Sequence, residues 1–238
     1  EIYTLSLHDA LPISIHVTIQ ACDLTDRRMY VRVYSEAISA QSSLLMDGYR
    51  SPYSGDTGRD LPLIWAGFEV SNSEVGQGAF SIAPRTLFQV CTNGMTWKTQ
   101  AIRAQHLGGQ LPAGEVAWSE DTQRKNLALI TAKTKDAVAT FLNAEWLQRQ
   151  ITKMEQAAGI EIKAPEETIK KVTSALRYTE NQQNDILRRF IQGGQVTAGG
   201  VMHAVTAVAQ DQSDADLASD MEADAPRALE LAAQFANA

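Results

Sequence analysis

The sequence predicts an α+β fold in which an antiparallel sheet of about four strands is followed by four or five helices. Between residues 25 and 98, short runs rich in β-branched and aromatic residues are separated by clusters of Gly, Pro, Asn and Asp, as in antiparallel sheets. From residue 119 onward, apolar residues recur at spacings of three and four, as on one face of a helix. Because the strands precede the helices instead of alternating with them, an α+β class is favoured.

The strands are predicted from alternation and from the turns between them. Residues 30–34 (YVRVY) alternate apolar and polar side chains, and residues 63–70 (LIWAGFEV) form the strongest strand candidate. A Gly-, Pro- and Asp-rich loop separates the two. Residues 79–84 are expected to return antiparallel, with 86–91 continuing the apolar character. A tight turn is then predicted at Asn93-Gly94, since both residue types tolerate a positive φ.

The helices are predicted from periodicity and from capping residues. Residues 122–156 are expected to form one long helix, with one bend at Thr134 where a polar residue interrupts the apolar stripe. Four shorter helices are predicted from their ends: one opened by Pro165, one capped by Thr179 or Asn181 and ended by Gly193-Gly194, one opened by Thr197, and one opened by Asp214.

The first thirteen residues are set apart from this prediction. Residues 1–13 (EIYTLSLHDALPI) resemble a translated short-read sequencing adapter, so the natural sequence is expected to continue upstream of Ser14. Residues 14–210 are expected to form one α+β domain, β-rich over 25–98 and helical over 119–210. Residues 211–238 are expected to be an acidic C-terminal helix or tail.

Composition indicates an ordinary globular protein. Apolar residues make up 44% and charged residues 21% of the chain, which is typical of a folded domain. No apolar run approaches the roughly 20 residues that span a bilayer. Cys22 and Cys91 are too few for a metal cluster or a disulfide framework. We interpret them as reduced, half-buried thiols in a cytoplasmic protein.

The net charge of −7 does not discriminate between partners. Seven of the 28 acids lie from Asp211 onward beside one base, and residues 1–13 contain two more acids. Residues 14–210 are left with 20 Lys and Arg against 19 Asp and Glu. An acidic tail beside a neutral body is compatible with nucleic-acid binding, and equally with a solvated C-terminal helix.

The residues predict no catalytic centre, metal site or cofactor. The histidines outside residues 1–13 are His16, His106 and His203, which are far apart and lack metal-ligand spacing. Cys91, near the end of a predicted strand, is expected to be packed instead of reactive. Gly76-Gln77-Gly78 does not precede a helix, so it fails as a dinucleotide loop. A non-enzymatic protein is expected.

Aromatic and basic residues are interleaved in the loop between Gly48 and Asp60, a pattern found in proteins that bind single-stranded nucleic acid. Single strands stack bases on aromatic rings while Arg and Lys contact phosphates. Two clusters provide such groups, and their alternative interpretation is as solvated surface charges. The candidate nucleic-acid-binding residues are Tyr49, Arg50, Tyr53 and Arg59 in the loop, and Lys98, Arg103, Arg124 and Lys125 in the second cluster.

The helices that meet at Gly193-Gly194 have the outline of a helix-turn-helix. However, residues 197–205 (TAGGVMHAV), in the second of them, contain no Arg or Lys. A recognition helix without cations is disfavoured. We therefore expect this helix to pack.

Three ordered segments resemble one family. Residues 66–76 (AGFEVSNSEVG), 88–95 (FQVCTNGM) and 197–206 (TAGGVMHAVT) are similar to phage/plasmid-like proteins with the domain of unknown function nine-three-two. The resemblance covers roughly residues 25–210, although that family often has Asn at the position of His203. It implies a mobile-element gene and no agreed activity.

Two functions of different classes are expected. The first is a nucleic-acid-binding module that assists recombination, replication or annealing of phage or plasmid DNA, with single-stranded DNA as partner and homo-oligomers as assembly. A sheet backed by long helices is similar to phage single-strand annealing proteins, which is an analogy of fold alone. The alternative is a protein-binding or host-takeover factor that uses its acidic tail or a helical face.

Overall fold

The computed structural model describes residues 15–73, 75, 79–104 and 118–236. Within them, six antiparallel strands form one sheet in the order β1-β2-β3-β4-β5, with β6 pairing the other end of β4 beside β5. The strands are β1 Thr18–Leu24, β2 Met29–Gln41, β3 Leu63–Asn72, β4 Phe80–Phe88, β5 Gly94–Thr96 and β6 Ile102–Ala104. The predicted α+β class is confirmed, with a strand count higher than the expected four.

Seven α-helices accompany the sheet in the described residues, and six of them follow it. They are α1 Ser43–Met46, α2 Glu120–Phe141, α3 Ala144–Ala158, α4 Pro165–Ala175, α5 Glu180–Gly193, α6 Ala198–Gln210 and α7 Ala215–Phe235, with a 3-10 turn at Lys98–Gln100. The number after the sheet exceeds the predicted four or five because residues 122–156 are not one helix.

The prediction of a single long helix over residues 122–156 was wrong, and so was the prediction of a bend at Thr134. The chain breaks at Leu142 and Asn143, where the Asn143 side chain accepts a hydrogen bond from the backbone N–H of Trp146 at 3.0 Å and caps α3. Thr134 continues the helix because its hydroxyl donates to the carbonyl of Ile130 at 2.8 Å. A polar residue in a buried stripe is tolerated when it bonds to its own helix in this way.

The other helix ends lie where their capping residues predict. Pro165 is in the first turn of α4, and Thr179 forms a capping box with Gln182. Gly194 ends α5 with a φ of 72°, a left-handed conformation that glycine adopts at little cost. Thr197 and Asp214 cap α6 and α7, so local hydrogen bonding defines these boundaries.

Helix α6 lies in the centre of the molecule. Every residue from Ala198 to Ala209 is buried, which confirms that this helix packs. Gly200 in its first turn lies so close to the carbonyl of Gln195 that a Cβ there would overlap it. The core therefore extends on all sides of one cation-free helix.

Of the helix or tail expected for residues 211–238, the structure shows a helix, α7, and this helix is part of the core. Its residues Met221, Ala225, Leu229 and Ala232 are buried, and α7 packs on α6 and on β5. The acids from Asp211 onward are engaged within the fold. Asp214 caps the helix, Asp211 pairs with Arg189, Glu230 with Arg227, Asp220 with Lys98, Glu222 with Arg85, Asp216 with Tyr30 and Asp224 with Tyr178.

The close approach at Gly200 gives a test of the central packing. We expect Gly200→Ala to lower the free energy of unfolding by about 1–3 kcal/mol, since the added methyl group must displace backbone. Gly159→Ala is the matched control, because its Cβ would lie 3.5 Å from Leu44 in ordinary contact. Urea denaturation of both variants checks this. Equal stabilities would show that α6 has room at Gly200.

Candidate functional site

Tyr49 does not form the stacking surface predicted for it. It is only 3% exposed, and its ring lies 4.3 Å from the ring of His203 on α6. A Cβ on Gly193 would approach the Tyr49 ring at 3.1 Å. Burial raises the pKa of the phenol. Tyr49 is therefore a core residue, and its assignment as a nucleic-acid-binding residue was wrong.

Tyr53 is 45% exposed, and its hydroxyl group is held by the helices. Its hydroxyl lies 2.8 Å from the carbonyl of Ala207 and 2.9 Å from a carboxylate oxygen of Asp211. The guanidinium of Arg189 lies 4.9 Å from the ring centroid and itself pairs with Asp211 at 2.5 Å. These contacts fasten the loop to α5 and α6 and occupy one face of the ring.

The remaining predicted cations lie in several places. Arg50 and Arg59 are exposed on the loop. Arg124 and Lys125 are exposed in the first turns of α2, where Lys125 pairs with Asp121 at 2.7 Å. His106 and residues 76–78 lie outside the described residues, as do residues 1–13. The eight predicted residues therefore do not form one surface.

Two of the predicted cations, Lys98 and Arg103, do converge. They line one groove together with Arg28, which sequence reasoning did not identify. The groove has a volume of about 300 Å³ and a floor of small side chains on β3 and β4. Lys98 also pairs with Asp220 of α7 at 2.9 Å. The other lining residues are Tyr30, Glu69, Ser71, Ala79, Ser81, Ala83 and Asp220.

Beside this groove, four charged side chains form a buried network that sequence reasoning missed. Arg32 on β2 and Glu69 on β3 stand opposite each other in the sheet register, and Arg32 Nε donates to Glu69 Oε2 at 3.0 Å. Arg85 on β4 is 1% exposed and donates from Nη2 to Glu222 Oε1 of α7 at 2.7 Å. Helix α7 thus supplies the acid between the two arginines.

The network is completed by three further contacts. Glu222 Oε2 lies 3.3 Å from Arg32 Nε, and Ser219 on α7 donates to Glu69 Oε1 at 3.0 Å. Asp23 on β1 accepts from Arg32 Nη1 at 2.7 Å. Charged groups at this depth persist only when paired, because desolvating an isolated charge costs several kcal/mol.

The electrostatics of the network follow from burial and from carboxylate repulsion. Burial raises the pKa of Glu69, and the neighbouring Glu222 raises it further, against the opposing effect of Arg32. Burial would lower the pKa of Arg32, but Glu222, Glu69 and Asp23 outweigh it and the pKa is raised. Arg32 is therefore a permanent cation here.

Gly94 has a different role from the one predicted. The positive φ in this turn belongs to Thr92, at 54°, and neither Asn93 nor Gly94 supplies it. A Cβ on Gly94 would overlap the guanidinium of Arg85, so the glycine makes room for the buried arginine. Asn93 is buried and its amide lies 3.3 Å from the Thr206 hydroxyl. The Asn93-Gly94 pair thus supports the network and α6.

A cavity opens beside the network, between β1, the turn at Gly94 and α7. It has a volume of about 300 Å³, at the small end of ligand-binding pockets. Its walls are polar or small and contain no aromatic residue. The lining residues are Gln20, Ala21, Asp23, Arg32, Arg85, Thr92, Asn93, Gly94, Ala209, Gln210, Gln212, Ser213, Ala215, Ala218 and Glu222.

The two cysteines and the buried histidine differ in their surroundings. Cys91 is buried as predicted, and burial raises the pKa of its thiol to about 12. Cys22, expected to be half-buried, is exposed on edge strand β1. His203 Nε2 lies 2.9 Å from the carbonyl of Leu45. Among the described residues no group of His, Cys, Asp or Glu could hold a metal ion.

Two of the missed residues share a recognisable signal. Arg32 and Glu69 each lie within a predicted strand between apolar neighbours, whereas Arg85 falls between the predicted segments 79–84 and 86–91. Such a charge needs a partner if both faces of the strand are covered. Both faces of β3 are covered, since successive residues from Ile64 to Glu69 are all buried. The sequence could not indicate the partner, since Glu222 lies 137 residues from Arg85.

No family model matches the chain, and neither a curated protein nor a solved structure does. The resemblance to phage/plasmid-like proteins stays a prediction. No helix among the described residues is long and apolar enough to cross a membrane.

Removing the acid shared by the two arginines tests the network. We expect Glu222→Gln to lower the free energy of unfolding by about 3–5 kcal/mol, because two buried guanidinium groups lose their common counter-charge. Glu230→Gln on the same helix is the control, since its pair with Arg227 is exposed. Urea denaturation measures both. A loss below about 1 kcal/mol for Glu222→Gln would contradict a tightly coupled network.

The buried histidine makes a prediction about pH. Complete burial lowers the pKa of His203 to about 4 from its usual 6.5, so the folded state resists protonation. The neutral His203 side chain therefore contributes to the free energy of unfolding above pH 6.5. This contribution is lost as the pH falls to about 4. The loss amounts to about 3 kcal/mol.

The measurement compares urea midpoints from pH 7 to pH 4 for the native chain and for His203→Asn, which keeps an N–H donor. The variant should lose this part of the pH dependence. Glu69, whose raised pKa acts in the opposite sense, is present in both proteins and cancels in the comparison. Parallel pH profiles would show that His203 does not titrate in this range.

Proposed function

We propose that the chain is a non-enzymatic nucleic-acid-binding module that holds the backbone of single-stranded DNA in the groove between Arg28, Lys98 and Arg103. The module would assist recombination, replication or annealing of phage or plasmid DNA. The observation that carries the proposal is the convergence of these three cations on one groove. Cations bind phosphates and release their counterions, a sequence-independent source of affinity.

The floor of the groove supports this proposal. Ser71, Ser81 and Ala83 are small, so a sugar-phosphate chain can approach the sheet, and hydroxyl groups can donate to phosphate oxygens. The hydrogen bond with Tyr30 raises the pKa of Arg28, which keeps it charged. The whole chain has a net charge of −7. Repulsion by the acidic remainder of the surface therefore favours binding of an anion at this groove.

The alternative function, protein binding through an acidic tail, has less support. The acids proposed for it cap α7 or pair with Arg, Lys and Tyr side chains of the same chain. A partner that used these acids would compete with the contacts that hold α7 in place. Phosphate binding in the groove would compete with one of these contacts, the pair of Lys98 with Asp220.

Fluorescence anisotropy with a labelled oligothymidylate tests the proposal at two salt concentrations. We expect micromolar binding at low salt with a logarithmic salt slope of about −2, since each of three phosphate contacts contributes about −0.7 on a single strand. The double variant Arg28→Ala with Arg103→Ala should weaken binding at least tenfold.

The matched control is Arg50→Ala with Arg59→Ala, which removes two exposed arginines of the loop. It should bind as the native chain does. If the control variant loses more oligonucleotide affinity than the groove variant, the binding site lies on the loop. Equal losses in the two variants would indicate diffuse attraction to the whole surface. No binding at low salt by a sample whose circular dichroism shows the fold would refute the proposed function.

A further inference from the structure

The hairpin that joins β1 and β2 ends in two exposed apolar side chains. Leu24, the last residue of β1, is 84% exposed, and Met29, the first residue of β2, is 36% exposed. The two residues are paired directly across the hairpin, so their side chains lie on the same face of the sheet. The tip, residues 24–29, therefore presents apolar surface that gains free energy when another molecule covers it.

Hydrogen bonds hold this tip in one conformation. The Thr25 hydroxyl accepts from the backbone N–H groups of Arg27 and Arg28 at 3.1 and 2.9 Å, and the Thr25 N–H donates to the Arg28 carbonyl at 2.8 Å. Ser73, which follows β3, donates from its hydroxyl to the Arg27 carbonyl at 2.7 Å. Because the tip is braced both from within and from the neighbouring strand, it loses little conformational entropy on binding.

The tip adjoins the groove proposed for single-stranded DNA. Arg28 and Tyr30 line that groove, and Met29 stands between them in the chain. Because side chains alternate across a strand, Met29 and its partner Leu24 project from the opposite face of the sheet. The tip thus separates a cationic groove on one face from an apolar pair on the other.

The charge of the turn fits a nucleic acid. Residues 25–28 (TDRR) contain two arginines and one aspartate, so the turn is positive by one charge (two minus one). Arg27 is exposed there, where it can contact a phosphate that lies outside the groove. The apolar pair is therefore continuous with cations on its own turn.

The size of the groove restricts the form of DNA that reaches the tip. Its volume of about 300 Å³ is too small for a duplex, whose major groove alone is about 12 Å wide. If one strand of a duplex occupies the groove, base pairing has to stop beside the tip. Aliphatic side chains insert between successive bases in DNA complexes, whereas single bases stack on aromatic rings. Leu24 and Met29 therefore suit the step between the last base pair and the first unpaired base.

We propose that the tip is a wedge that recognises a junction between duplex and single-stranded DNA. Leu24 and Met29 insert between the terminal base pair and the first unpaired base, and the unpaired strand continues past Arg28 into the groove. Arg27 contacts a phosphate of the duplex. This inference rests on the proposed function and adds to it the form of DNA that is bound.

Fluorescence anisotropy with matched probes tests the wedge. One probe is a labelled oligothymidylate, and the others are DNA hairpins that carry the same oligothymidylate as a 5′ or a 3′ tail. We expect the native chain to bind the better of the two tailed hairpins about tenfold more tightly than oligothymidylate, which is the scale of one additional base contact. A hairpin without a tail should bind more weakly than either, since none of its strands can enter the groove.

A fluorescent base locates the insertion. 2-Aminopurine at the first unpaired position of the tailed hairpin is quenched while it stacks on the terminal base pair. Insertion of the apolar pair separates the two and should raise the fluorescence about twofold or more, because the stack is broken. Binding through phosphates alone leaves the stack intact and the fluorescence unchanged.

Two variants separate the wedge from the groove. Leu24→Thr with Met29→Thr removes the apolar pair and keeps residues that favour a strand. This variant should bind oligothymidylate as the native chain does, but lose both the preference for the tailed hairpin and the rise in fluorescence. The matched control is Ile19→Thr, at a residue of β1 that is 58% exposed and distant from the tip. The control should behave as the native chain does.

The outcomes distinguish this inference from the proposed function. A native chain that binds oligothymidylate but shows neither a preference for the tailed hairpin nor a rise in fluorescence would overturn the wedge and leave the groove. Junction binding that is lost in Leu24→Thr with Met29→Thr, without any binding of oligothymidylate, would keep the wedge and refute the groove. Self-association that this variant abolishes, measured by light scattering without DNA, would assign the tip to a second copy and overturn the inference.

Discussion

The structure depends on neutralising charges that the sheet places out of water. Arg32, Glu69 and Arg85 share one face of neighbouring strands, and each is nearly inaccessible. Two cations and one acid would leave an uncompensated positive charge at that depth. Glu222 supplies the missing counter-charge from α7. Docking of this helix is therefore an electrostatic requirement of the sheet as well as a hydrophobic one.

The features that sequence reasoning predicted are those determined by neighbours in the chain. The ends of α4 to α7 follow from Pro165, Thr179, Gly194, Thr197 and Asp214, because capping is a contact between residues a few positions apart. The strand character of β2 and β3 and the packing of the cation-free helix α6 were also predictable. In each case the signal and its structural consequence lie within the same short segment.

The features it missed are determined by distant partners. Tyr49 was read as an exposed aromatic because its loop is polar, yet its ring is covered by His203 from α6. Gly94 was assigned to a turn, although Arg85 on the adjacent strand requires its missing side chain. For the acids of α7, the sequence left a solvated helix and an acidic tail equally open, because the partners of these acids lie elsewhere in the sequence. The spacing of residues along the sequence does not indicate such long-range pairs.

Arg85 and Glu222 are separated by 137 residues, which has a consequence for how the chain is made. At a synthesis rate of about 5–20 residues per second, the arginine emerges from the ribosome roughly 7–27 seconds before its counter-charge. During that interval the nascent sheet cannot close over its own cations without a large desolvation cost. Folding of this face must wait until Glu222 has been made, so a chain translated only as far as the sheet would remain open and exposed to proteases or chaperones.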